Sequence, residues 1–388
     1  MSGELESSIF LIFTGAALLA TMALYARQAI LVAYILLGVL LGPSGLALVG
    51  DPEVLQQIAG VGIIFLLYLL GLDLLPQQLW SMLGKALAAT LWSSVLFWLI
   101  GFGIAWGFGL PTPDAALVGA AAMFSSTIIG VKLMPTTALH HRHTGQMVIS
   151  VLLLQDVLAI VVLLLLQGYD TGGGVSLAIL RPLATLPLLI GVTWVLERFL
   201  IVRLIIRFDQ IHEYIFLLAI AWCLGIAELA AFMGLSHEIG AFVAGVVLAS
   251  SPIALFITEK LKPLRDFFLV LFFFSVGAMF NLDVLGEIAM PAIALALVLL
   301  VAKPLAFRAL FVRAGEKRAI SLEVGVRLGQ ISEFSLLIAV LAMEAGVIAS
   351  GTSYLIQFAT LLTFIVSSGI IVMRYPTPIA VSDRLRRD

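Results

Sequence analysis

One acidic residue, Asp156, lies in the middle of a long apolar segment of the sequence. If this segment is a membrane helix that begins near Thr144, a rise of about 1.5 Å per residue brings Asp156 roughly 18 Å deep, close to the midplane. An ionisable group at that depth costs about 2.5–3.5 kcal/mol, so it marks a functional site by default. A carboxylate there can bind either a proton or a cation. We therefore predict that Asp156 binds ions, with a structural ion pair as the alternative.

Two other apolar segments contain ionisable or polar groups. Lys303 precedes Pro304, which should bend its helix; its ammonium could neutralise a buried acid or snorkel toward water. Arg327, Gln330 and Glu333 share one segment, which is too polar to face lipid. Arg327 and Glu333 are six residues apart, a poor spacing for a pair within one helix. Each is therefore expected to have its partner on another helix, in a substrate-binding or a structural role.

Three consecutive hydroxyl side chains, Ser125, Ser126 and Thr127, interrupt a further apolar segment, and Gly130 follows them. They favour an unwound break, whose freed carbonyl and hydroxyl oxygens can coordinate a cation. Close packing of small residues is the alternative. This segment is fifth in its half of the chain, and the segment of Glu333 is fifth in the other half. Two interrupted segments in corresponding places predict a binding site between them.

The composition places these residues in a membrane protein. The chain is 62% hydrophobic and 11% charged, whereas a soluble domain is about half apolar and about a quarter charged. The apolar segments lack the alternation of barrel strands, so they predict an all-α integral membrane protein with about 13 transmembrane helices. The predicted spans are 8–24, 29–48, 54–71, 86–108, 114–134, 144–167, 177–198, 212–234, 237–251, 264–281, 284–312, 320–346 and 353–373.

The segments divide into two halves of six helices, residues 8–167 and 212–373, with a linker helix at about 177–198. Because one helix separates the halves, they would have opposite orientations in the membrane, which is the inverted-repeat plan of many secondary transporters. Of the 21 Lys and Arg residues, 18 fall on one side. The positive-inside rule therefore predicts an outer N-terminus and a cytoplasmic C-terminus. A transmembrane domain over 1–376 would precede a short basic cytoplasmic tail at 377–388.

Several classes of protein are excluded. The only cysteine, Cys223, cannot form an intramolecular disulfide. The sequence contains no basic patch for nucleic acid, and it has no phosphate loop, hydrolytic triad or metal-ligand spacing. We therefore expect neither an enzyme nor a resident cofactor, and membrane lipid rather than nucleic acid as the partner.

Six motifs run through segments two to twelve in a fixed order. They are Gly38–Leu46, Gly62–Asp73, Leu154–Ile160, Gly240–Leu248, Phe273–Gly277 and Gly329–Phe334. Their order and spacing resemble the Kef-type potassium/proton antiporters of the monovalent cation:proton antiporter superfamily. The resemblance implies an inverted-repeat fold in which a core domain with two crossing broken helices moves, elevator-like, against a dimerisation domain. It also implies a homodimer in the inner membrane.

The resemblance assigns roles to individual residues. Asp156 corresponds to the ion-binding aspartate of the family and Gln155 to the glutamine before it. Electrogenic sodium/proton antiporters usually have a second aspartate at that position, so Gln155 favours electroneutral exchange and potassium. The other correspondences are the core lysine at Lys303, the first broken helix at Ser125–Thr127, and polar positions of the second at Gln330 and Glu333.

The sequence therefore predicts a secondary active monovalent cation/proton antiporter, in which Asp156 binds potassium and a proton in turn. A sodium/proton antiporter and a channel-like efflux protein are the alternatives. Kef proteins usually continue into a nucleotide-binding regulatory domain, whereas this chain ends at Asp388. Such a domain is expected to have been removed, to be absent, or to be a separate subunit.

Overall fold

The computed structural model describes residues 2–49, 52–73, 76–135, 143–170, 175–208, 211–251 and 254–378. Each predicted apolar segment contains a helix; of the predicted tail, residues 379–388 lie outside the described residues. The helices are α1 Ser2–Tyr25, α2 Ile30–Leu41, α3 Pro52–Asp73, α4 Pro76–Gly107, α5 Thr112–Met123, α6 Thr127–Lys132, α7 His143–Asp170, α8 Val175–Leu196, α9 Val202–Phe208, α10 His212–Phe232, α11 His237–Ala249, α12 Ala254–Ala278, α13 Leu285–Arg313, α14 Arg318–Arg327, α15 Glu333–Glu344 and α16 Ser350–Arg374.

The helices have the lengths and compositions of membrane spans. Within the described residues, 7 helical stretches are long and apolar enough to cross a bilayer, and shorter apolar helices lie at Ile30–Leu41, Gly60–Leu72 and His237–Ala249. The all-α membrane class predicted from the sequence is therefore confirmed. The number of thirteen crossings stays a prediction.

Helix boundaries on the basic side differ from those predicted. Helices α4 and α12 begin at Pro76 and Ala254, about ten residues before their apolar segments. Helix α8 continues through a π-helical turn, Glu197–Ile201, into α9. Arg198 and Arg203 therefore lie on helix, whereas the predicted segment ends at residue 198 and places Arg203 in the loop that follows; that loop position is wrong. Charged residues end a hydropathy segment, but Lys, Arg and Glu are good helix formers, so the helices continue past the apolar core.

The helices pack as two units. The scaffold unit contains α1–α3 and α8–α12, and the core unit contains α4–α7 and α13–α16. Packing pairs recur between the two halves of the chain: α4 packs on α5 as α13 packs on α14, and α3 packs on α11 as α12 packs on α2. An inverted repeat would produce this pattern. The exact division into residues 8–167 and 212–373 stays a prediction.

Glycine pairs hold scaffold helices at backbone contact. A Cβ added at Gly38 of α2 would collide with the carbonyl oxygen of Phe274, and one at Gly277 of α12 with that of Ile35. Gly71 of α3 and Gly245 of α11 form an equivalent contact. Small residues allow helix backbones to approach this closely. The glycines of the sequence motifs therefore serve packing, and they join the scaffold helices tightly.

Candidate functional site

Two helices of the core unit are interrupted at mid-course. Helix α5 ends at Met123 and α6 begins at Thr127, and Ser126 between them is extended (φ −68°, ψ 120°). Helix α14 ends at Arg327 and α15 begins at Glu333, after an extended Ser332 (φ −93°, ψ 155°). The break expected at Ser125 and Ser126 is therefore present, whereas Thr127 already belongs to α6. Each break frees backbone groups that a continuous helix would pair.

Serine caps explain why each helix restarts where it does. Ser126 Oγ accepts a hydrogen bond from Ile129 N at 3.1 Å, and Ser332 Oγ accepts one from Phe334 N at 3.1 Å. Serine is among the preferred residues at the N-cap position because its oxygen satisfies an amide with no partner in the helix. The local sequence thus encodes both restarts.

The two breaks lie against each other. Ser125 Oγ in the first break donates to the carbonyl oxygen of Leu328 in the second, at 2.8 Å. Ser335 Oγ of α15 donates to the carbonyl oxygen of Ala121 in α5, at 2.7 Å. The interrupted segments, which the sequence predicted to meet, are therefore hydrogen-bonded in both directions.

Lys303 of α13 bridges the two breaks. Its side chain is 0% exposed, and Nζ donates to the carbonyl oxygens of Phe124 at 2.6 Å and Gln330 at 2.9 Å. Nζ also lies 3.4 Å from Ser125 Oγ and 5.3 Å from the ring centroid of Phe97. Snorkelling toward water does not fit this geometry. The ammonium instead lies among carbonyl oxygens that follow α5 and α14, where the negative helix ends favour a cation.

The amide of Gln155 spans the first break. Gln155 Oε1 accepts from Ser125 N at 3.0 Å, and Nε2 donates to the carbonyl oxygen of Met123 at 3.1 Å. One side chain thus satisfies a donor and an acceptor that the interruption frees. Asp156 is the next residue of α7 and is 2% exposed. The predicted ion-binding carboxylate is therefore buried, one residue from a direct contact with the break.

The second break is held by Gln330 in a similar way. Its Nε2 donates to the carbonyl oxygens of Arg327 at 3.0 Å and Ser126 at 3.3 Å, while its Oε1 accepts from Ser367 Oγ of α16 at 2.9 Å. The amide therefore ties both breaks to α16.

Glu333 connects the second broken helix to the first. Its Oε1 accepts from Ile128 N in the first turn of α6 at 3.2 Å, a position at which the helix dipole favours negative charge. The neighbouring Thr127 Oγ1 is buried and has no hydrogen-bond partner in the described part of the chain. The interhelical partner expected for Glu333 is thus present, and one hydroxyl beside it is available as a ligand.

Arg327 anchors the end of α14. Its guanidinium forms an ion pair with Glu323 at 3.0 Å, four residues earlier in the same helix, so its ion pair among the described residues lies within α14, and the expected partners on other elements are backbone carbonyls. It also donates to the carbonyl oxygens of Leu133 at 3.1 Å and Pro376 at 3.0 Å, which lie on other elements. This arrangement is structural, and Arg327 does not reach the breaks with its side chain.

Sequence reasoning missed several residues that the structure brings to the breaks. Thr363 Oγ1 of α16 accepts from Ile331 N at 3.1 Å, and Ser367 bonds Gln330. Away from the breaks, Glu323 was also missed, although its i,i+4 spacing to Arg327 is a recognisable signal. Hydroxyls on α16 give no comparable signal, because Ser and Thr are common in membrane helices that pack closely.

Two cavities open between the scaffold and core units, near opposite ends of α16. One has a volume of about 460 Å³ and includes Tyr354 and Gln357 near the start of α16. The other has a volume of about 440 Å³ and includes Pro378, just beyond the end of α16, and Ile128 of α6. The breaks lie in the core unit, whose boundary with the scaffold unit is thus indented from two sides.

A helical membrane protein with paired broken helices, a buried carboxylate and a lysine between the breaks has the architecture of a secondary transporter. The transmembrane sodium/hydrogen exchanger family matches residues 9–374, and the chain belongs to this family. The fold is similar to that of the sodium proton antiporter MjNhaP1 from Methanocaldococcus jannaschii, with a TM-score of 0.73, 18% identity, and coverage of 95% of this chain and 96% of that one.

Similar sequences include potassium antiporters. K(+) efflux antiporter 5 of Arabidopsis thaliana is 31% identical over 92% of this chain and 64% of its own length. The glutathione-regulated potassium-efflux system protein KefC of Klebsiella aerogenes is 30% identical over 84% of this chain and 54% of its own length. The iron transporter MagA of Paramagnetospirillum magneticum is 27% identical over 88% of this chain and 79% of its own length. The resemblance to Kef-type antiporters is confirmed. The chain matches 64% of the length of the plant antiporter.

Proposed function

We propose that this protein exchanges potassium for protons across a membrane by alternating access, with Asp156 binding the cation and the proton in turn. The observation that carries the proposal is the position of Asp156. The residue is 2% exposed and directly follows Gln155, whose amide bonds Met123 and Ser125 at the start of the first break. A buried carboxylate on a helix that is hydrogen-bonded to the break fits the arrangement with which broken-helix transporters bind ions.

The exchange of one ion for one proton follows from the charges of the core. Lys303 is engaged by two carbonyl oxygens, so its charge balances the helix ends. Gln155 is neutral where a second acid would add a negative charge. A single carboxylate that holds either a cation or a proton carries the same net charge in both directions. Transport is therefore electroneutral.

Cation ligands in addition to Asp156 come from the first break. Thr127 Oγ1 is buried and makes no hydrogen bond to a described residue, so it can turn a lone pair toward the ion. Ser125 and Ser126 use their hydroxyls within the breaks, yet each oxygen keeps a lone pair for a cation. Gln330 and Glu333 support the breaks, and Arg327 anchors the end of α14.

Alternating access uses the boundary between the two units. The cavities near opposite ends of α16 would exchange roles as the core unit moves against the scaffold unit, opening the site to one side and then to the other. The glycine contacts of the scaffold favour a rigid frame and a moving core. We further propose a homodimer in an inner membrane, with the N-terminus outside. A nucleotide-binding regulatory domain, in the same protein or as a separate subunit, is compatible with the length of the potassium-efflux relatives.

The proposal is tested with purified protein in liposomes that contain a pH-sensitive dye. Added potassium should drive proton movement in the wild type, independently of membrane potential, and should drive none in Asp156→Asn. The matched control is Asp283→Asn, which changes an exposed acid and should exchange normally. Normal exchange by Asp156→Asn would refute the mechanism, and a response to sodium alone would favour the sodium/proton alternative.

A further inference from the structure

The larger cavity between the units lies away from the breaks. It is lined by α3, α11 and α12 of the scaffold and by α15 and α16 of the core, and has a volume of about 460 Å³. Glu344, in its wall, is the last residue of α15, whereas Glu333 at the break is the first. At about 1.5 Å per residue, roughly 16 Å of helix separates the two. The described lining residues include neither Asp156 nor any residue of the two breaks, so the cavity has its own set of side chains.

Two buried oxygens in the cavity wall have no hydrogen-bond partner among the described residues. Gln357 is 6% exposed; its Nε2 donates to Ser353 Oγ at 3.1 Å, and its Oε1 is unpaired among the described residues. Ser275 is 4% exposed, and within the same described ranges its Oγ is unpaired as well. Buried polar atoms are nearly always hydrogen-bonded. In a cavity of this volume, these two oxygens can bind water or coordinate a cation.

The charges around the cavity favour a cation as the ligand. Glu238 of α11 and Glu344 of α15 belong to the lining, and the described lining residues include no Lys or Arg. Acidic side chains in a cleft raise the local concentration of cations. Amide and hydroxyl oxygens such as those of Gln357 and Ser275 can replace part of the hydration shell of a monovalent ion. The volume exceeds that of a bare ion, so waters remain with it.

We propose that this cavity is a second monovalent-cation site, with Gln357 Oε1 and Ser275 Oγ as ligands and Glu238 and Glu344 as the attracting charges. Its use as a staging site on the way to or from Asp156 rests on the proposed antiport, whereas cation binding itself does not. The site also gives a role to Ser275 in the Phe273–Gly277 motif, in which Gly277 serves packing.

The test measures binding of radioactive rubidium, a potassium surrogate, to the purified full chain. The Asp156→Asn variant removes the central carboxylate and should retain one saturable site. Adding Gln357→Leu or Ser275→Ala to that variant should weaken the remaining binding about tenfold, equivalent to about 1.4 kcal/mol. Adding Met279→Leu, an apolar change in the same cavity wall, should leave it unaltered.

Each outcome decides between the proposals. Absence of saturable binding in Asp156→Asn means that the cavity holds water alone and overturns the second site. Residual binding that neither Gln357→Leu nor Ser275→Ala weakens overturns it also, because the ion then lies elsewhere. Residual binding that both changes weaken supports the site even if the wild type shows no exchange, in which case only the antiport proposal fails. Gel filtration of every variant shows whether it remains folded.

Discussion

Replacing Gln155 by leucine is a direct test of how the first break is held. The leucine side chain has a similar volume but neither donates nor accepts a hydrogen bond. In the wild type, Oε1 accepts from Ser125 N at 3.0 Å and Nε2 donates to the carbonyl oxygen of Met123 at 3.1 Å. Gln155 is 1% exposed, so water does not replace the lost partners. Gln155→Leu should therefore leave one amide and one carbonyl buried and unpaired.

The magnitude follows from those two groups. A buried polar group without its partner costs about 1–3 kcal/mol. Two such groups predict a loss of about 2–6 kcal/mol in the free energy of unfolding, reduced by the lower desolvation cost of a leucine side chain. We expect about 2–4 kcal/mol, together with loss of exchange because the break that supplies the proposed cation ligands is no longer fixed.

The assay is unfolding in mixed micelles by increasing SDS, followed by tryptophan fluorescence. Gln146→Leu is the matched control, since Gln146 lies on the same helix and is exposed; a surface change of this kind should stay within about 0.5 kcal/mol of the wild type. If Gln155→Leu is as stable as Gln146→Leu, the amide does not hold the break and the argument is refuted.

Two further predictions concern the ion ligands and the scaffold. Thr127→Val removes a hydroxyl that makes no hydrogen bond to a described residue, so SDS unfolding should change little. The potassium concentration for half-maximal exchange should rise about tenfold, equivalent to about 1.4 kcal/mol. An unchanged potassium dependence would remove Thr127 from the site. Gly277→Leu brings a side chain against the backbone of Ile35 and should destabilise the protein by about 3 kcal/mol or more, at or beyond the upper end of ordinary overpacking. Gly286→Leu, where an added Cβ meets nothing within 4 Å, should be neutral in the same titration, and equal stability of the two variants would contradict the close helix contact.

The helices could be predicted because a bilayer imposes a length. About 20 apolar residues are needed to cross it, and every predicted segment contains at least one helix. The ends on the basic side could not be predicted in the same way. Hydropathy measures transfer into hydrocarbon, whereas Lys260 and Arg203 sit on helix that extends beyond the apolar core. Helix propensity, rather than hydrophobicity, determines where α9 and α12 begin and end.

The site was only partly predictable, for a chemical reason. Lys303 and Asp156 are conspicuous because an ionisable side chain in an apolar segment is expensive. Their surroundings are not, because most groups that meet at the breaks are backbone carbonyls. Lys303 bonds the carbonyl of Phe124, 179 residues away, and Ser125 bonds that of Leu328, 203 residues away. Every residue has the same backbone carbonyl, so the sequence does not reveal which residues act as acceptors. Hydrogen bonding restricts the residue type only at the side-chain donors.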